Sequence, residues 1–401
     1  MKIAIDVRRI RDFGVGTYIR NLLQALAGLG ADHQYDLICC AEDRPQFSGL
    51  PPNFRTVIYN RRDSSRLDHL DLPRLLHGLG AAVTHIPFHR VPLLMPKPYL
   101  VTIHDLSSLF FDDASGLLHA ARTFRLRRGL ERAGRIIAVS GATQRDVINL
   151  VPTAEDRIRL IYSAPDPQFM ERRLPSDART GGPEAAARER HRILERYQIR
   201  YPFLLYAGSI RKQKNIPRLI EAFAVARSSL EGHVAYKDLR LIIIGDEISR
   251  HPDVRRAVIQ SRVESCVRFL GFIPFDTLRI FHELATAFVF PSLYEGFGLP
   301  PLEAMASGTP VIASAVSSLP EVVGGAAMLV NPENVFDIAR GITEVLLNDG
   351  LRESMILKGR KQAASFSWPR TAREVLDLYE ELGSANRGQP SRAGSGAAHS
   401  A

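Results

Sequence analysis

Residues 287–313 read AFVFPSLYEGFGLPPLEAMASGTPVIA and carry the strongest structural signal in this chain. The apolar run 287–292 predicts a buried parallel strand. A glycine-bearing loop follows, and Pro300 and Pro301 fit the first turn of a helix, where a missing N–H leaves no hydrogen bond unmade. The helix is predicted to end at Gly308, before another apolar strand. The segment therefore predicts a strand–loop–helix–strand unit whose free N–H groups suit a phosphate.

Two carboxylates bracket the predicted loop. Glu295 and Glu303 are separated by seven residues, and we expect Glu303 in the first turn of the helix, where the helix dipole favours an anion. A sugar nucleotide needs this combination, because its diphosphate binds N–H donors and cations whereas its hydroxyls bind carboxylates. The alternative interpretation is a plain α/β crossover whose glutamates only satisfy a helix dipole.

The run from Glu295 to Glu303 resembles the E-x7-E signature of retaining glycosyltransferases of family 4, which have the GT-B fold. Further matches follow the family's order along most of the chain. They are FGVGTY at 13–18, TIHDL at 102–106, AVS at 138–140, and YAG at 206–208 leading to Lys214 and Asn215. The resemblance implies two Rossmann-like β/α/β domains that face each other across a cleft. It also implies that the nucleotide-sugar donor binds mainly to the second domain and the acceptor mainly to the first.

Length and composition agree with two soluble α/β domains. A chain of 401 residues exceeds one ordinary core, and 45% apolar with 24% charged residues is typical of a globular protein. No window approaches the ~18 continuous apolar residues of a membrane span. The first residues read as a strand rather than a signal peptide, so we expect a cytoplasmic protein. Cys39, Cys40 and Cys266 have no metal-ligand spacing and are expected to be free, buried thiols.

The net charge of +9 is compatible with nucleic acid, anionic lipid or a phosphate-bearing substrate as partner. Basic residues cluster at 122–135, at 188–200 and in the tail. Two interpretations of the first cluster stay open: a solvated helix face, or a face that approaches anionic lipid and makes the protein peripheral at the inner side of a membrane. No aromatic-interleaved platform for nucleic acid is visible, so we expect no nucleic-acid partner.

Apolar strands alternate with helical patterns twice along the chain, which predicts parallel sheets with helices on both faces. Strands of the first half are predicted at 2–7, 35–41, 55–60, 82–86, 99–104, 135–140 and 159–162. Strands of the second half are predicted at 203–208, 239–245, 267–272, 287–292, 311–313 and 328–330. Helical periodicity is clear at 17–28, 116–133 and 371–382.

These patterns predict five segments. They lie at 1–173, at 174–198 (a linker and connecting helix), at 199–365, at 366–383 and at 384–401 (a disordered tail). The resemblance implies that 1–173 is the acceptor domain, 199–365 the donor domain and 366–383 a return helix. The resemblance implies that the return helix packs on the first domain. Ligands of such sheets bind beyond the carboxyl ends of the strands.

Gly14 and Gly16 follow the first predicted strand and open a helix, so their loop can face a phosphate. A dehydrogenase fingerprint would need a third glycine where Ile19 stands, which counts against nicotinamide binding. A tight strand–helix turn is the alternative. The resemblance places this loop at the donor diphosphate and at the edge of the acceptor pocket.

His104 follows the apolar run 99–103, at the edge where ligands bind in open α/β sheets. A structural histidine is the alternative, but with Asp105 and Leu106 it matches the active-site histidine of the family. We expect a hydrogen bond to the donor hexose rather than a general base.

Gly208 ends the first strand of the second half, and basic residues follow within six positions. Cations there can neutralise a departing diphosphate, although an ordinary basic turn is the alternative. The family commonly has arginine directly after the glycine, where Ser209 stands, and lysine six positions after it, which Lys214 matches. Arg211 is our candidate to replace the missing arginine from the next turn.

The resemblance assigns a role to each part of the loop. Glu303 is expected to bind the ribose hydroxyls, and Glu295 the hexose and phosphates. The donor-binding segment of the loop comprises Gly296, Phe297, Gly298 and Leu299. We predict no metal requirement and no cofactor, since the sequence contains no D-x-D motif and no cluster of residues at ligand spacing.

The prediction is therefore a retaining hexosyltransferase of cell-surface polysaccharide biosynthesis. Branch likeness favours GDP-mannose as donor, with a UDP-sugar as the alternative, and a glycan or lipid-linked acceptor. A nucleotide-sugar epimerase of the same fold is the rival enzyme. A catalytically silent sugar-nucleotide-binding subunit is the rival outside enzymes.

Overall fold

The computed structural model describes residues 1–30, 32–63, 65, 67–111, 116–170 and 182–387. Within these ranges the strands form two sheets in which every strand pair is parallel. The first sheet contains β1 (Lys2–Asp6), β2 (Gln34–Cys39), β3 (Phe54–Ile58), β4 (Val83–Ile86), β5 (Tyr99–Ile103), β6 (Arg135–Ala138) and β7 (Ile158–Leu160). The second contains β8 (Phe203–Ala207), β9 (Arg240–Ile244), β10 (Val267–Gly271), β11 (Ala287–Phe290), β12 (Val311–Ser314) and β13 (Met328–Val330).

Strand order is β3-β2-β1-β4-β5-β6-β7 in the first sheet and β10-β9-β8-β11-β12-β13 in the second. Both orders reverse direction beside the first strand of their sheet, which creates the crevice where open α/β sheets bind ligands. The two predicted Rossmann-like domains are confirmed.

Helices connect the strands and cover the sheets. In the first half they are α1 (Val15–Gly28), α2 (Asp68–Leu79), α3 (Ser107–Phe110), α4 (Leu117–Arg132), α5 (Gly141–Leu150) and α6 (Pro167–Met170). The next are α7 (Gly182–Arg196), α8 (Ile216–Ser229), α9 (Pro252–Gln260), α10 (Phe275–Leu284) and α11 (Leu299–Ser307). The last are α12 (Leu319–Val323), α13 (Val335–Leu347), α14 (Asp349–Ala364) and α15 (Trp368–Arg387).

Apolar side chains cover both faces of each sheet, as parallel strands require. In β1, Ile3 and Ile5 belong to the apolar cluster shared with α1 and α15, whereas Ala4 belongs to the cluster on the other face. This alternation follows from the two-residue period of a strand. The second sheet is enclosed by one continuous core. Each domain thus has a rigid sheet whose carboxyl edge can hold a site.

The predicted strands have the right order and centres, but most continue one or two residues too far. For example, the strand predicted at 99–104 ends at Ile103, and the one predicted at 135–140 ends at Ala138. The residues just beyond these strands turn into loops at the edge of the sheet. Ser140, which we expected to cap a helix, does so, because its Oγ accepts a hydrogen bond from Thr143 N at 3.0 Å.

The last helix returns to the first domain, as predicted. The Trp368 side chain donates to Pro165 O at 3.1 Å, and the Tyr379 hydroxyl lies 2.6 Å from His85 Nδ1 in the first sheet. The helix continues to Arg387, so residues 384–387 are helical and the tail predicted from residue 384 begins too early. The rest of that tail, and the predicted linker up to residue 181, lie outside the described residues.

Two further expectations from the sequence concern the cysteines and membrane-spanning helices. Cys39, Cys40 and Cys266 are free thiols, and only Cys39 is fully buried. None of the helices in the described part of the chain is both long enough and apolar enough to span a membrane.

Candidate active site

The carboxyl edges of the two sheets meet where β5 and β11 end. A Cβ atom added to Gly296, after β11, would lie 1.6 Å from the carbonyl oxygen of His104, after β5. This backbone-to-backbone contact across the two domains is possible only because residue 296 has no side chain. The predicted site residues of both domains are therefore adjacent.

Hydroxyl groups of the second domain fix the loop that follows β11. Ser317 Oγ donates to Glu295 O at 2.6 Å, and Ser318 Oγ lies 2.6 Å from Phe297 O and 2.9 Å from Glu295 O. Ser317 Oγ also lies 3.3 Å from Glu295 N. These hydrogen bonds hold the backbone of Glu295 and Phe297 in place.

The first domain holds the same loop from the other side. Ser140 Oγ and Thr143 Oγ1, at the start of α5, donate to Gly296 O at 2.6 and 2.9 Å. Thr143 Oγ1 also lies 3.5 Å from His104 O. The start of α5 thus bridges the segments that carry Gly296 and His104.

The start of α11 offers hydrogen-bond donors to an anion. Its N-cap is Gly298, with φ at 121°, and Leu299 is its first residue. No described residue accepts a hydrogen bond from the backbone N–H of Phe297, Gly298 or Leu299. Three unpaired donors at the positive end of a helix form an arrangement that binds phosphate.

Lys214 and Glu295 are brought together as one ion pair. Lys214 Nζ lies 2.5 Å from Glu295 Oε1, and the two side chains are only 16% and 10% exposed. The ammonium group also lies over the Phe290 ring, 5.2 Å from its centroid. Asn215 anchors the lysine's turn by donating to Pro291 O and Pro332 O. A cation and a carboxylate are therefore fixed side by side beside the start of α11.

The loop after β8 is held by the end of β9. A Cβ atom on Gly245 would lie 1.9 Å from Gly208 O, so the two strand ends touch through their backbones. Asp246, to which the sequence assigned no role, accepts a hydrogen bond from Ile210 N at 2.8 Å. The Tyr206 hydroxyl donates to Ser209 O at 2.9 Å.

Arg211 is not brought to the ion pair. It is exposed at the N-cap of the turn Lys212–Lys214, where its carbonyl oxygen accepts a hydrogen bond from Lys214 N at 2.9 Å. No described contact joins its guanidinium group to the side chain of Glu295 or Lys214. Its role in place of the arginine that Ser209 replaces remains a prediction.

His104 is held as a neutral imidazole. Its Nε2 lies 3.1 Å from Pro87 O, and because a carbonyl only accepts, Nε2 carries the proton and Nδ1 is left as an acceptor. Burial lowers the pKa of His104 to about 4, although Asp105 acts in the opposite direction. A histidine with this pKa is a weak base at neutral pH, but its Nδ1 can accept a hydrogen bond from a sugar hydroxyl.

Glu303 lies just beyond the first turn of the helix, in which the sequence analysis placed it. α11 begins at Leu299, so Glu303 is its fifth residue and no acidic residue occupies the first turn. Burial, together with the nearby Asp166 carboxylate, raises the pKa of Glu303 to about 8, although Arg20 acts in the opposite direction. Its electrostatic environment therefore comes from first-domain residues, rather than from the helix dipole.

The loop that carries Gly14 and Gly16 contacts the second domain. A Cβ atom on Gly16 would lie 2.3 Å from Ile10 O, which makes the turn into α1 tight. The exposed Phe13 ring lies 5.9 Å from the exposed Phe272 ring, which follows β10. The loop thus borders the cleft, as the prediction for these glycines requires.

Two cross-domain side chains escaped the sequence analysis. The Tyr294 hydroxyl donates to Asp146 Oδ2 at 2.6 Å, and the Glu321 carboxylate accepts from Gly141 N at 3.0 Å and from the Tyr162 hydroxyl at 2.6 Å. The position of Tyr294 directly before Glu295 was a usable signal. Glu321 has no comparable signal in the sequence.

Within the described ranges, no three or more His, Cys, Asp or Glu side chains are grouped so that they could hold a metal ion. Positive charge reaches the loop from Lys214, and the start of α11 adds the positive end of a helix dipole.

Comparison with known proteins agrees with this architecture. The profile of the family described as glycosyl transferases group 1 matches residues 189–362, and that of glycosyltransferase family 4 matches residues 14–169. The chain belongs to glycosyltransferase family 4, and its two parallel-sheet domains have the GT-B fold.

Curated relatives include two mannosyltransferases of Escherichia coli. The O-antigen chain mannosyltransferase B is 32% identical over 258 residues, which are 64% of this chain and 63% of that protein. The serotype-specific mannosyltransferase WbdA is 31% identical over 256 residues, which are 63% of this chain and 29% of that protein. The match therefore spans less than two thirds of either relative.

A solved structure with the same fold is that of sucrose-phosphate synthase from Thermosynechococcus elongatus. It superposes with a TM-score of 0.73 at 22% identity, over 96% of this chain and 100% of that chain.

Proposed function

We propose that this protein transfers a hexose from a nucleotide-diphosphate sugar to a saccharide or lipid-linked glycan, with retention of anomeric configuration. The observation that carries the proposal is the Lys214–Glu295 pair beside the unpaired N–H groups at the start of α11, with His104 against the same loop. A departing diphosphate, a hexose and a ribose require this set of groups.

Each group has one task in the proposed reaction. The N–H groups of Phe297, Gly298 and Leu299 bind the phosphates, and Lys214 neutralises the charge that grows on the leaving diphosphate. Glu295 accepts hydrogen bonds from the hexose hydroxyls. Glu303 accepts them from the ribose.

The acceptor hydroxyl attacks the anomeric carbon from the side of the leaving group. The bond from that carbon to the phosphate oxygen breaks as the bond to the acceptor oxygen forms, and the hydroxyl proton passes to the β-phosphate. His104 takes no proton, since its pKa of about 4 makes it a poor base at neutral pH. It positions the hexose through Nδ1 instead.

We propose GDP-mannose as the donor and a growing cell-surface glycan as the acceptor. This choice is supported by both Escherichia coli relatives, which are mannosyltransferases, one of them acting on the O-antigen chain. A UDP-sugar is the alternative donor. Thermal-shift titration with GDP and UDP tests the choice, because the correct nucleotide stabilises the native state by mass action. Stronger stabilisation by UDP would replace GDP-mannose with a UDP-sugar.

A nucleotide-release assay distinguishes the rival functions. A transferase releases nucleotide from one donor of a panel and does so faster with an acceptor. An epimerase rearranges or releases the sugar without any acceptor. A silent binding subunit binds nucleotide and releases none.

The outer face of α4 supports peripheral association with an anionic membrane. Leu117 and Phe124 are 90% and 64% exposed on this helix. Its exposed basic residues are Arg122, Arg125, Arg127 and Arg128. Apolar side chains next to arginines bind a lipid interface, and each basic residue near an anionic surface contributes about 1 kcal/mol.

Vesicle sedimentation tests this surface. We expect Phe124→Asp to abolish binding to vesicles that contain anionic lipid, and salt to weaken binding of the unchanged protein. Phe336→Asp is the matched control, because Phe336 is 73% exposed on α13 of the second domain. Equal binding by both variants, or no binding by the unchanged protein at any salt concentration, would remove the membrane proposal.

A further inference from the structure

Two short segments, one from each domain, lie in fixed register at the site. Segment 104–106 follows β5, and segment 294–296 follows β11. At one end the Cα of Gly296 packs on His104 O, and at the other Leu106 N donates to the Tyr294 hydroxyl oxygen at 3.2 Å. Glu295 lies between these two contacts, so its position relative to His104 depends on both.

The Tyr294 hydroxyl forms the hydrogen bond that links the two segments. It donates to Asp146 Oδ2 at 2.6 Å while it accepts from Leu106 N, so both of its hydrogen-bonding capacities are used. Burial, together with the bond to Asp146, raises the pKa of Tyr294, which keeps the donated proton in place. The ring lies against Phe110 and Phe111, with centroid distances of 5.5 and 6.1 Å.

Asp146 connects this bond to the element that binds the next residue of the loop. It lies on α5, and the first turn of α5 supplies the two hydroxyls that hold Gly296 O. Tyr294 and Gly296 are thus bound by the same helix. Rotation of that helix relative to β11 would break all of these bonds at once.

We propose that Tyr294 is a positioning residue, which acts through Asp146 and Leu106 to hold Glu295 in register with His104 when the domains are closed. The inference rests on the proposed transferase function and adds a condition to it. The nucleotide binds mainly to the second domain, whereas turnover requires the register between both segments.

The chain offers a closely matched control. The Tyr162 hydroxyl also donates to a carboxylate of the other domain, that of Glu321, at the same distance of 2.6 Å. Tyr162→Phe and Tyr294→Phe therefore remove the same kind of bond from the same domain interface. Of these two tyrosines, only Tyr294 has a hydrogen bond with segment 104–106.

The kinetic test compares these two variants of the full chain, with the donor that the panel identifies. We expect Tyr294→Phe to lower kcat about tenfold, the effect of one hydrogen bond to a charged group, with the Kd for nucleoside diphosphate unchanged. Asp146→Ala should have the same effect, and the double variant should be no worse than either single one, since both remove one interaction. Tyr162→Phe should keep kcat within about twofold.

Hydrogen exchange tests the same inference without any turnover. In Tyr294→Phe the amide of Leu106 loses its acceptor, so peptides that cover 101–111 should exchange faster, while Tyr162→Phe leaves them protected. Unchanged protection in Tyr294→Phe, equal kcat losses in both variants, or weaker nucleotide binding at full kcat would each overturn the role of Tyr294. Absence of transfer by the unchanged protein would instead remove the proposed function, and the exchange result would still decide whether Tyr294 sets the register.

Discussion

The carboxyl edges of the two sheets are built from different groups. In the first domain, charged side chains pair with one another: Arg8 Nη2 lies 2.6 Å from Asp6 Oδ2, and Arg9 Nη2 lies 2.5 Å from Asp63 Oδ2. In the second domain the edge is largely backbone, with touching strand ends and a helix N-terminus without partners. Backbone amides suit a group of constant shape, such as a diphosphate, whereas side chains can be replaced one at a time.

The pair formed by Arg8 and Asp6 is structural. Burial alone would lower the pKa of Arg8, and the carboxylates of Asp6 and Asp68 more than reverse this effect. Removing one partner from such a buried pair costs about 3–5 kcal/mol because the other charge is left without compensation. The Lys214–Glu295 pair differs, since it lies beside unpaired donors and a ligand can join it.

Gly296→Ala tests whether the two edges meet at this residue, and we expect it to have the largest effect of all the variants. The added carbon would lie 1.6 Å from His104 O, so the two edges must move apart. A misplacement of about 1 Å lowers the rate roughly a hundredfold, and we expect at least this loss of kcat. Gly28→Ala in α1 is the control, because a Cβ there meets nothing within 4 Å. Full activity of Gly296→Ala would mean that the domains do not meet at this residue.

Lys214→Ala tests the Lys214–Glu295 ion pair at the carboxyl edge of the second sheet. We expect kcat to fall about a hundredfold, with a smaller rise in the KM for donor, because the ammonium charge matters most as the diphosphate leaves. Lys237→Ala, at an exposed position after α8, is the control for loss of one positive charge. Normal turnover at saturating donor would assign Lys214 to binding alone.

Glu303→Ala should weaken binding of the nucleoside diphosphate about ten- to hundredfold above pH 8, where Glu303 is ionised and can form charge-assisted bonds to the ribose. Calorimetric titration measures this Kd. Equal affinities in the variant and the unchanged protein would exclude Glu303 from the ribose site.

The pKa of Glu303 gives the same residue a smaller, pH-dependent effect. Its native pKa of about 8 exceeds the ordinary 4.5, so the native state holds an extra proton between these two pH values. The free energy of unfolding should therefore decrease as pH rises through this window, and Glu303→Gln should flatten the decrease. Identical pH profiles from denaturant titrations of the two proteins would show that the carboxyl group is not perturbed in solution.

The smallest expected effect is that of a chelator. Since Lys214 and the start of α11 supply positive charge, we expect activity with excess chelator to stay within about twofold of the untreated protein. Loss of activity that manganese or magnesium restores would show that the site at the carboxyl edge of the second sheet needs a metal ion.

Much of the architecture could be read from the chain. The apolar runs of β8 and β11 and the glycines around them identify strands and turns, because these patterns arise from neighbouring residues. Pro300 and Pro301 lie in the first turn of α11 as predicted, but Glu303 does not, since helix boundaries depend on which flanking residue adopts the cap conformation. The sequence analysis placed Lys214 and Glu295 in one site but did not predict that they form an ion pair.

The sequence by itself determined the alternation of strands and helices, the E-x7-E loop and the family, because each is written in local spacing. Only the tertiary structure decided that Gly296 packs on His104 and that Tyr294 binds Asp146. These partners lie more than a hundred residues apart in the chain. Such contacts depend on how two finished domains pack against each other, and the spacing of neighbouring residues carries no record of that packing.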